Sequence, residues 1–457
     1  MISPNYISYK DFDARVILKD GIYYRYILKK YKLEYDHFIN SGLYDELVKK
    51  ELIVSHEEIQ ITDHEISEGV YKFLRPFQIP FQSYPFEWSY SQWKKSLIAY
   101  IEINKIALKF GMILKDATPY NFVLYGGNSI MIDTSSFSFF EKGDKFKAYY
   151  QFCCQFFSPF VLMHYNGQKW SKLTRTSING FSLDFISKQL PFKSWFNLNI
   201  LINIHFHSKF IRNNNISLEN RNGFDKEKIE LIFGMILKML LKWKQPKQLE
   251  YNWNNYYSSD IYSEAYIINK EKIVEKWIAK CLPKSVIDIG ANTGKFSHIA
   301  SKYVNKVIAV ESNDYCVDLI ESQIKIDKST NLFTLVQDLT ETTPNMGVNL
   351  KEIKSFISRS KSEMLIALAI EHHFYLSKKL SFSQISEMYS ILTTRYLITE
   401  YIPITDNNFV KLYNESCKNI IDYTFDNYVN ALKLYFNVIE ICALKESDRI
   451  LLFLEKK

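Results

Sequence analysis

Only 14 glycines and 11 prolines are spread over 457 residues, which excludes a collagen-like repeat and a Pro/Gly-rich disordered chain. Cysteine is scarce. The six, Cys153, Cys154, Cys281, Cys316, Cys417 and Cys442, form no CxxC and no His-paired zinc spacing, so neither a disulfide framework nor a zinc finger is expected. Long apolar runs are missing too: the longest, around Phe152–His164 and Ile232–Leu241, fall short of the roughly 20 residues that cross a bilayer. The opening MISPNYISYKDFDARVILKD lacks the apolar core and cleavage site of a signal peptide, and cytoplasmic residence is the expectation. Charge of one sign is not concentrated either. Lys plus Arg number 57 against 50 Asp plus Glu, a net +7, but the basic residues come one or two at a time, which argues against a nucleic-acid partner.

What is there is an ordinary globular composition, 47% hydrophobic and 23% charged, with enough chain for two or three domains at about 150 residues each. Short β-rich runs such as Gly21–Leu28 alternate with helical stretches such as Tyr35–Lys50, predicting a small α+β lobe over residues 1–82. The aromatic segment Gln82–Ser89 reads as a connector to a long amphipathic helix over Ser91–Phe110, which opens a larger, mostly helical lobe over 90–245. Within it, Gly126-Gly127-Asn128 joins two predicted strands, Phe122–Tyr125 and Ser129–Asp133. The Asn-rich run Ile211–Gly223 reads as a loop or lid. A fresh pattern starts near Tyr251, and over 251–457 strands are predicted at Ser285–Ile289, Lys306–Val310, Leu332–Val336, Glu363–Ala369 and Tyr396–Glu400. Val438–Leu444 and Arg449–Leu454 predict a closing antiparallel hairpin. Strands alternating with helices mark an α/β domain.

The run SVIDIGANTGKFSHIASKY is a β-branched strand, a Gly-bearing turn and a helix. Asp288, Gly290, Asn292 and Gly294 stand at regular spacing in the turn, where glycine tolerates positive φ and lets backbone approach a ligand, and the following helix points free N–H groups to the same place. The second strand ends near Glu311, where a carboxylate can accept from a ribose diol. The third is followed by Asp338, placed to take an exocyclic amine of adenine. The dinucleotide pattern G-x-G-x-x-G fails here, because Lys295 follows Gly294. The fourth strand ends in Glu371-His372-His373. In a doubly wound sheet chemistry occurs outside the carboxyl ends of the strands, and either His372 or His373 has the pKa range to deprotonate or orient an acceptor; the alternative is one core histidine and one solvated. Glu400 and Asp406 either line the same cleft or are a strand end and a helix N-cap.

A second constellation lies in LKDATPYN, with Asp116, Asn121 five residues on, and Asp133 twelve further, after the hairpin. The order is similar to the catalytic loop and metal-binding Asp of the protein kinase and aminoglycoside phosphotransferase fold. That resemblance implies Asp116 as acceptor of a hydroxyl proton and Asn121 and Asp133 as holders of magnesium on ATP. Arg25 stands where a phosphate-holding Lys is expected, an exchange that is not conservative in geometry. Leu114 replaces the kinase His, Thr134-Ser135 follows Asp133 instead of Phe-Gly, and no Gly-rich phosphate loop precedes them. Capping of a turn by Asp116 and Asn121 accounts for the same residues.

Over nearly its whole length the chain resembles a bacterial group of class I S-adenosylmethionine (SAM) dependent methyltransferases of the nodulation-protein NoeA-like type. The residues that carry the likeness are SYPFEWS (Ser83–Ser89), GMILKDATPYN (Gly111–Asn121), IDTSSF (Ile132–Phe137), DIGANTGKFS (Asp288–Ser297), ALAIEHH (Ala367–His373), ITEYIPITD (Ile398–Asp406) and SDR (Ser447–Arg449). The resemblance implies an N-terminal bilobal kinase-like α+β domain over 1–245, and a C-terminal α/β Rossmann-like doubly wound methyltransferase sheet with a terminal antiparallel hairpin over 251–457. It implies SAM as cofactor, with ATP and magnesium only if the first domain binds nucleotide. The acceptor it implies is a small molecule or a glycan hydroxyl. An ATP-dependent phosphotransferase or a nucleotide-binding scaffold is the alternative function.

Overall fold

The computed structural model describes residues 11–60, 69–141, 148–213, 224–246, 263–416 and 420–457. The start of the fresh pattern at Tyr251 and all but the first three residues of the expected lid at Ile211–Gly223 lie outside the described residues. The chain divides into two units, one of residues up to 248 with 347–352, the other of residues 249–346 and 353–457.

The first unit begins with a four-stranded antiparallel sheet of β1 (Ala14–Lys19), β2 (Ile22–Leu28), β3 (His56–Ile59) and β4 (Val70–Pro76), in the order β1-β2-β4-β3. Alternation along β2 buries Arg25 and Ile27, as a strand's period of two requires. The expected helical stretch Tyr35–Lys50 is two helices, Lys32–Asn40 and Leu43–Lys49, broken by Gly42 at φ +87°, a conformation open to glycine.

The aromatic connector is a buried capped turn. Glu87 is fully buried and accepts from the Tyr84 N–H at 2.9 Å, and Trp88 donates to Ser83 Oγ at 3.0 Å. Ser89 then caps the helix Tyr90–Ala107, exchanging hydrogen bonds with Gln92. Its inner face, with Trp93, Leu97 and Tyr100, lies in the main core of this unit. Short strands follow: β5 (Met112–Leu114), β6 (Phe122–Tyr125), β7 (Asn128–Met131) and β8 (Phe137–Phe139), paired as β5–β8 and as the hairpin β6–β7. The hairpin's second strand stops at Met131, short of the expected Asp133, because Asp133 turns to accept from the Ser135 N–H at 3.0 Å. The rest of the unit is helical, with widened π turns at Phe152–Phe157 and Leu201–Phe206.

The second unit is built on seven strands: β9 (Val286–Ile289), β10 (Val307–Glu311), β11 (Leu332–Val336), β12 (Ser362–Ala367), β13 (Thr393–Tyr401), β14 (Phe436–Ala443) and β15 (Ile450–Lys456). Their order is β11-β10-β9-β12-β13-β15-β14, with the first five parallel and β15 antiparallel to both its neighbours, β13 and β14. The second unit is thus an α/β sheet closed by an antiparallel hairpin, as the sequence reading expects. The parallel strands read as near-continuous apolar runs because both faces are covered; β9 and β11 are buried throughout. Strand β13 starts at Thr393, earlier than expected, since its exposed Thr394 and Arg395 hide the apolar pattern.

Candidate functional site

At the carboxyl ends of β9, β10 and β11 the structure sets Asp288, Glu311 and Asp338. Asp288 is buried and accepts from Ser297 Oγ at 2.5 Å. Burial pushes its carboxyl up to about 7, with the Ser297 hydrogen bond opposing and the Glu311 charge adding to the rise. The turn after β9 holds Gly290, Asn292 and Gly294 at φ +67°, +50° and +81°; Asn is among the few residues with a side chain that visit this region. A Cβ on Gly290 would lie 2.6 Å from Ile370 Cδ1, and one on Gly294 2.8 Å from Ile320 Cγ1. The two glycines thus admit the turn between flanking segments. The helix behind it, Lys295–Ser301, has only seven residues.

Glu311 ties this turn to the next strand. Its Oε2 accepts from the Asn292 N–H at 2.9 Å, and its Oε1 from the Ser312 and Asn313 N–H groups at 2.6 and 2.9 Å. Asp338 accepts from Thr340 and pairs with Lys378 at 2.6 Å. Against the upward push of burial, Lys378 and Thr340 hold its carboxyl below the usual range. Lys378 is a neighbour that the sequence reading missed.

Past the end of β12, Glu371 and His372 are buried side by side. His372 Nδ1 lies 3.7 Å from Glu371 Oε2, and neither ring nitrogen of His372 has a hydrogen-bond partner among the described residues. Glu371 Oε1 accepts from the Ile402 N–H at 2.7 Å and from the Tyr423 hydroxyl at 3.1 Å. Burial lifts the Glu371 carboxyl to about 8 and drops the His372 imidazole to about 3, the latter helped by the nearby Arg449 charge. The pair is therefore neutral at pH 7, with a proton on the carboxyl and an imidazole that burial keeps from taking one, against the ordinary histidine range that the sequence reading assumed. His373 stacks obliquely on His372, ring centroids 4.3 Å apart, and burial with the neighbouring imidazole lowers its pKa as well.

Beyond β13 opens a cavity of about 580 Å³ whose lining includes Tyr266, Asp406, Asn408, Lys411, Glu446 and Ser447. Asp406 both lines it and caps the helix Asn407–Ser416, accepting from the Asn408 and Phe409 N–H groups at 2.9 and 3.3 Å; Glu400, His372 and His373 are not among its lining residues. The other Asp406 oxygen accepts from Arg449 Nε at 2.8 Å. Glu400 accepts from Lys270 Nζ at 2.6 Å and from the Tyr266 hydroxyl at 3.1 Å. Tyr266 and Lys270 were missed, although Lys270 falls on the stripe of Tyr266, Val274, Trp277 and Ile278 that the helix Glu264–Cys281 buries. A lysine at an apolar helical position was the available signal.

In the first unit Arg25, Asp116, Asn121 and Asp133 come together. Asn121 Nδ2 donates to Asp116 Oδ2 at 3.2 Å and to Asp133 Oδ2 at 3.4 Å. Arg25 forms an ion pair with Asp133 and also donates to Ser135 Oγ at 2.6 Å and to the Ile132 carbonyl at 3.1 Å. Ser135 and Ser136 each donate to Asp133 at 2.6 Å, and Gln151 donates to Asp116. Burial would raise Asp133, but Arg25 and the two serines hold it far below the usual range; Asp116 is raised by burial and by Asp133. Ser135, Ser136 and Gln151 were not singled out from sequence. Among the described residues no group of three or more His, Cys, Asp or Glu is placed to hold a metal ion.

Set against known proteins, the chain is similar to one relative over nearly its full length. The nodulation protein NoeA of Rhizobium meliloti (strain 1021) is 23% identical over 422 residues, 90% of this chain and 88% of that protein. No family model matches. Among solved structures, the N-methyltransferase NodS from Bradyrhizobium japonicum WM9 has 6% identity and a TM-score of 0.32, covering 42% of this chain and 98% of NodS. Magnesium protoporphyrin IX methyltransferase from Synechocystis PCC 6803 has 14% identity and a TM-score of 0.32, covering 46% of this chain and 90% of that one. Among the described residues no helix is long and apolar enough to cross a membrane.

Proposed function

We propose that the chain is a SAM-dependent methyltransferase acting through its second unit, residues 251–457. The observation that carries this is the row of Asp288, Glu311 and Asp338 at the carboxyl ends of three adjacent parallel strands, beside a turn that three left-handed residues fold tightly. The donor set fits the group: carboxylates suit an ammonium, a ribose diol and an exocyclic amine. Asp288, Gly290, Asn292, Gly294, Glu311 and Asp338 would hold it. SAM supplies an electrophilic methyl on a sulfonium.

The chain's own part is to seat and orient the acceptor. The cavity beyond β13 is the acceptor's place in this reading, and its polar lining suits a hydroxyl- or amine-bearing small molecule, a glycan included. In this reading His372, whose ring nitrogens have no hydrogen-bond partner among the described residues, orients the acceptor as a neutral imidazole, since burial holds it near 3 and so makes it a weak proton acceptor. His373, stacked on it, orients the ring. Glu371 packs beside His372, Oε2 3.7 Å from Nδ1. The test is calorimetric titration with S-adenosylhomocysteine of the wild type, Asp288→Ala and Glu311→Ala. Micromolar binding that both substitutions weaken supports the site; absence of binding to folded wild type overturns it.

For the first unit we propose a kinase-like domain, residues 1–245, with a binding or regulatory role. The order β1-β2-β4-β3 and the meeting of Arg25, Asp116, Asn121 and Asp133 support it. The Asp133 carboxylate is already shared among Arg25, Ser135, Ser136 and Asn121, which favours binding over phosphoryl transfer. The second reading, an ATP-dependent phosphotransferase with magnesium on Asn121 and Asp133, rests on Asn121 bridging Asp116 and Asp133. Phosphate transfer lost in Asp116→Ala would decide for it; background transfer decides against.

A further inference from the structure

We propose that the first unit docks on anionic membrane surfaces through an aromatic patch built on residues 185–210. A continuous helix runs from Leu198 to Asn213, its middle turns widened to π geometry. One side is pinned to the core by Ile200 and Ile204, both fully buried. The other side carries Leu198, Ile202 and Phe206, four residues apart and therefore on one face, since four residues make about one turn of such a helix. On the short turn before the helix stand Phe192 and Phe196, with ring centroids 5.5 Å apart. These five side chains are between 42 and 79% exposed. Large apolar groups gathered on one surface mark an interaction site, whereas single ones do not.

Charge selects the occupant. Over residues 167–210 the chain has six Lys or Arg and one acid, Asp184, and Asp184 is paired with Lys188 at 2.5 Å. Lys193 sits between the two exposed phenylalanines, and Lys209 lies over the Trp195 ring, 4.7 Å from its centroid. A second copy of this chain would set basic face against basic face, which repels. An anionic lipid surface accepts both parts of the patch: the rings enter the boundary of headgroups and acyl chains while the lysines stay at the phosphates. Phe192 and Phe196 are 76 and 79% exposed, which suits insertion into lipid.

Co-sedimentation of the full chain with vesicles tests this, using phosphatidylcholine alone and an equimolar mixture with phosphatidylglycerol. The expected result is binding to the mixed vesicles that high salt weakens, with little binding to the neutral ones. Phe192→Ser with Phe196→Ser, and separately Lys193→Glu with Lys209→Glu, should each reduce that binding by roughly tenfold or more. All four positions are solvent-facing, so both double variants should melt as the wild type does. No sedimentation of wild type with either vesicle overturns the proposal, as does equal binding by the double variants. Should the phenylalanine variant instead abolish a dimer seen in sedimentation velocity without changing lipid binding, the patch belongs to a second copy and the lipid reading fails.

Discussion

Lys270 Nζ and Glu400 Oε2 meet at 2.6 Å across 130 residues of sequence, with side chains 2% and 0% exposed. Burial pulls the lysine's pKa down while Glu400 raises it, and for Glu400 the charges of Lys270 and Arg449 outweigh burial. Removing one partner of a buried pair leaves the other charge unpaired, at a cost of about 3–5 kcal/mol. Lys270→Met should lose about that much in urea unfolding. Lys270→Met with Glu400→Leu should recover a large part of it.

Gly290→Ala forces a side chain into φ +67° with Ile370 Cδ1 2.6 Å away. The expected cost is about 1–2 kcal/mol from the backbone conformation alone, with weaker S-adenosylhomocysteine binding in titration. Adding Ile370→Ala relieves the contact but not the φ, so recovery should be partial.

The Glu371–His372 pair makes stability depend on pH in two directions. The folded Glu371 carboxyl, near 8, keeps a proton that the unfolded chain releases above about 4.3, so its contribution is full at low pH and is lost as pH rises toward 8. The folded imidazole of His372, near 3, stays neutral where the unfolded chain is protonated below about 6.5, so stability falls as pH drops from there. Glu371→Gln should therefore gain stability relative to wild type between pH 5 and 8, on the order of 1.4 kcal/mol per pH unit across that window. Thermal melts at several pH values would show the difference shrinking on acidification.

Arg25→Ala should uncover the Asp133 carboxylate. The pair is only partly exposed, so a loss of about 1–3 kcal/mol is expected at neutral pH. Because Asp133 is held far below its ordinary range, the loss should begin to narrow as pH falls below about 4, where the unfolded carboxyl takes its proton, and continue to narrow down through the lowered folded pKa. If ATP–magnesium binding appears in this variant and not in wild type, Arg25 is a built-in occupant of the cation's position.

The second unit was legible where the chemistry is local. The turn from Asp288 to Gly294 has its glycines and Asn292 in the left-handed conformations that the spacing demanded, and β11 has the bounds read from its apolar run. Glu311 and Asp338 stand at their strand ends, but their present partners, the Asn292 N–H and Lys378, come from distant sequence. Lys270, Glu400 and Arg449 meet only once strands and helix are packed, and no pattern in the sequence pairs residues so far apart. In the first unit the break at Gly42 was missed because the flanking stretches are each helical. The π turns were missed because one extra residue per turn barely disturbs apolar spacing.

Glu311 already staples the turn after β9 to the segment after β10 through three backbone N–H groups. A loop fastened in this way has little disorder left to lose when something settles beside it. Association there is then governed by the fit of the incoming molecule and by release of water, with little entropy spent on ordering the protein. Cutting the staple should show first as a more unfavourable binding entropy and a slower arrival, with the contacts of the bound state largely retained.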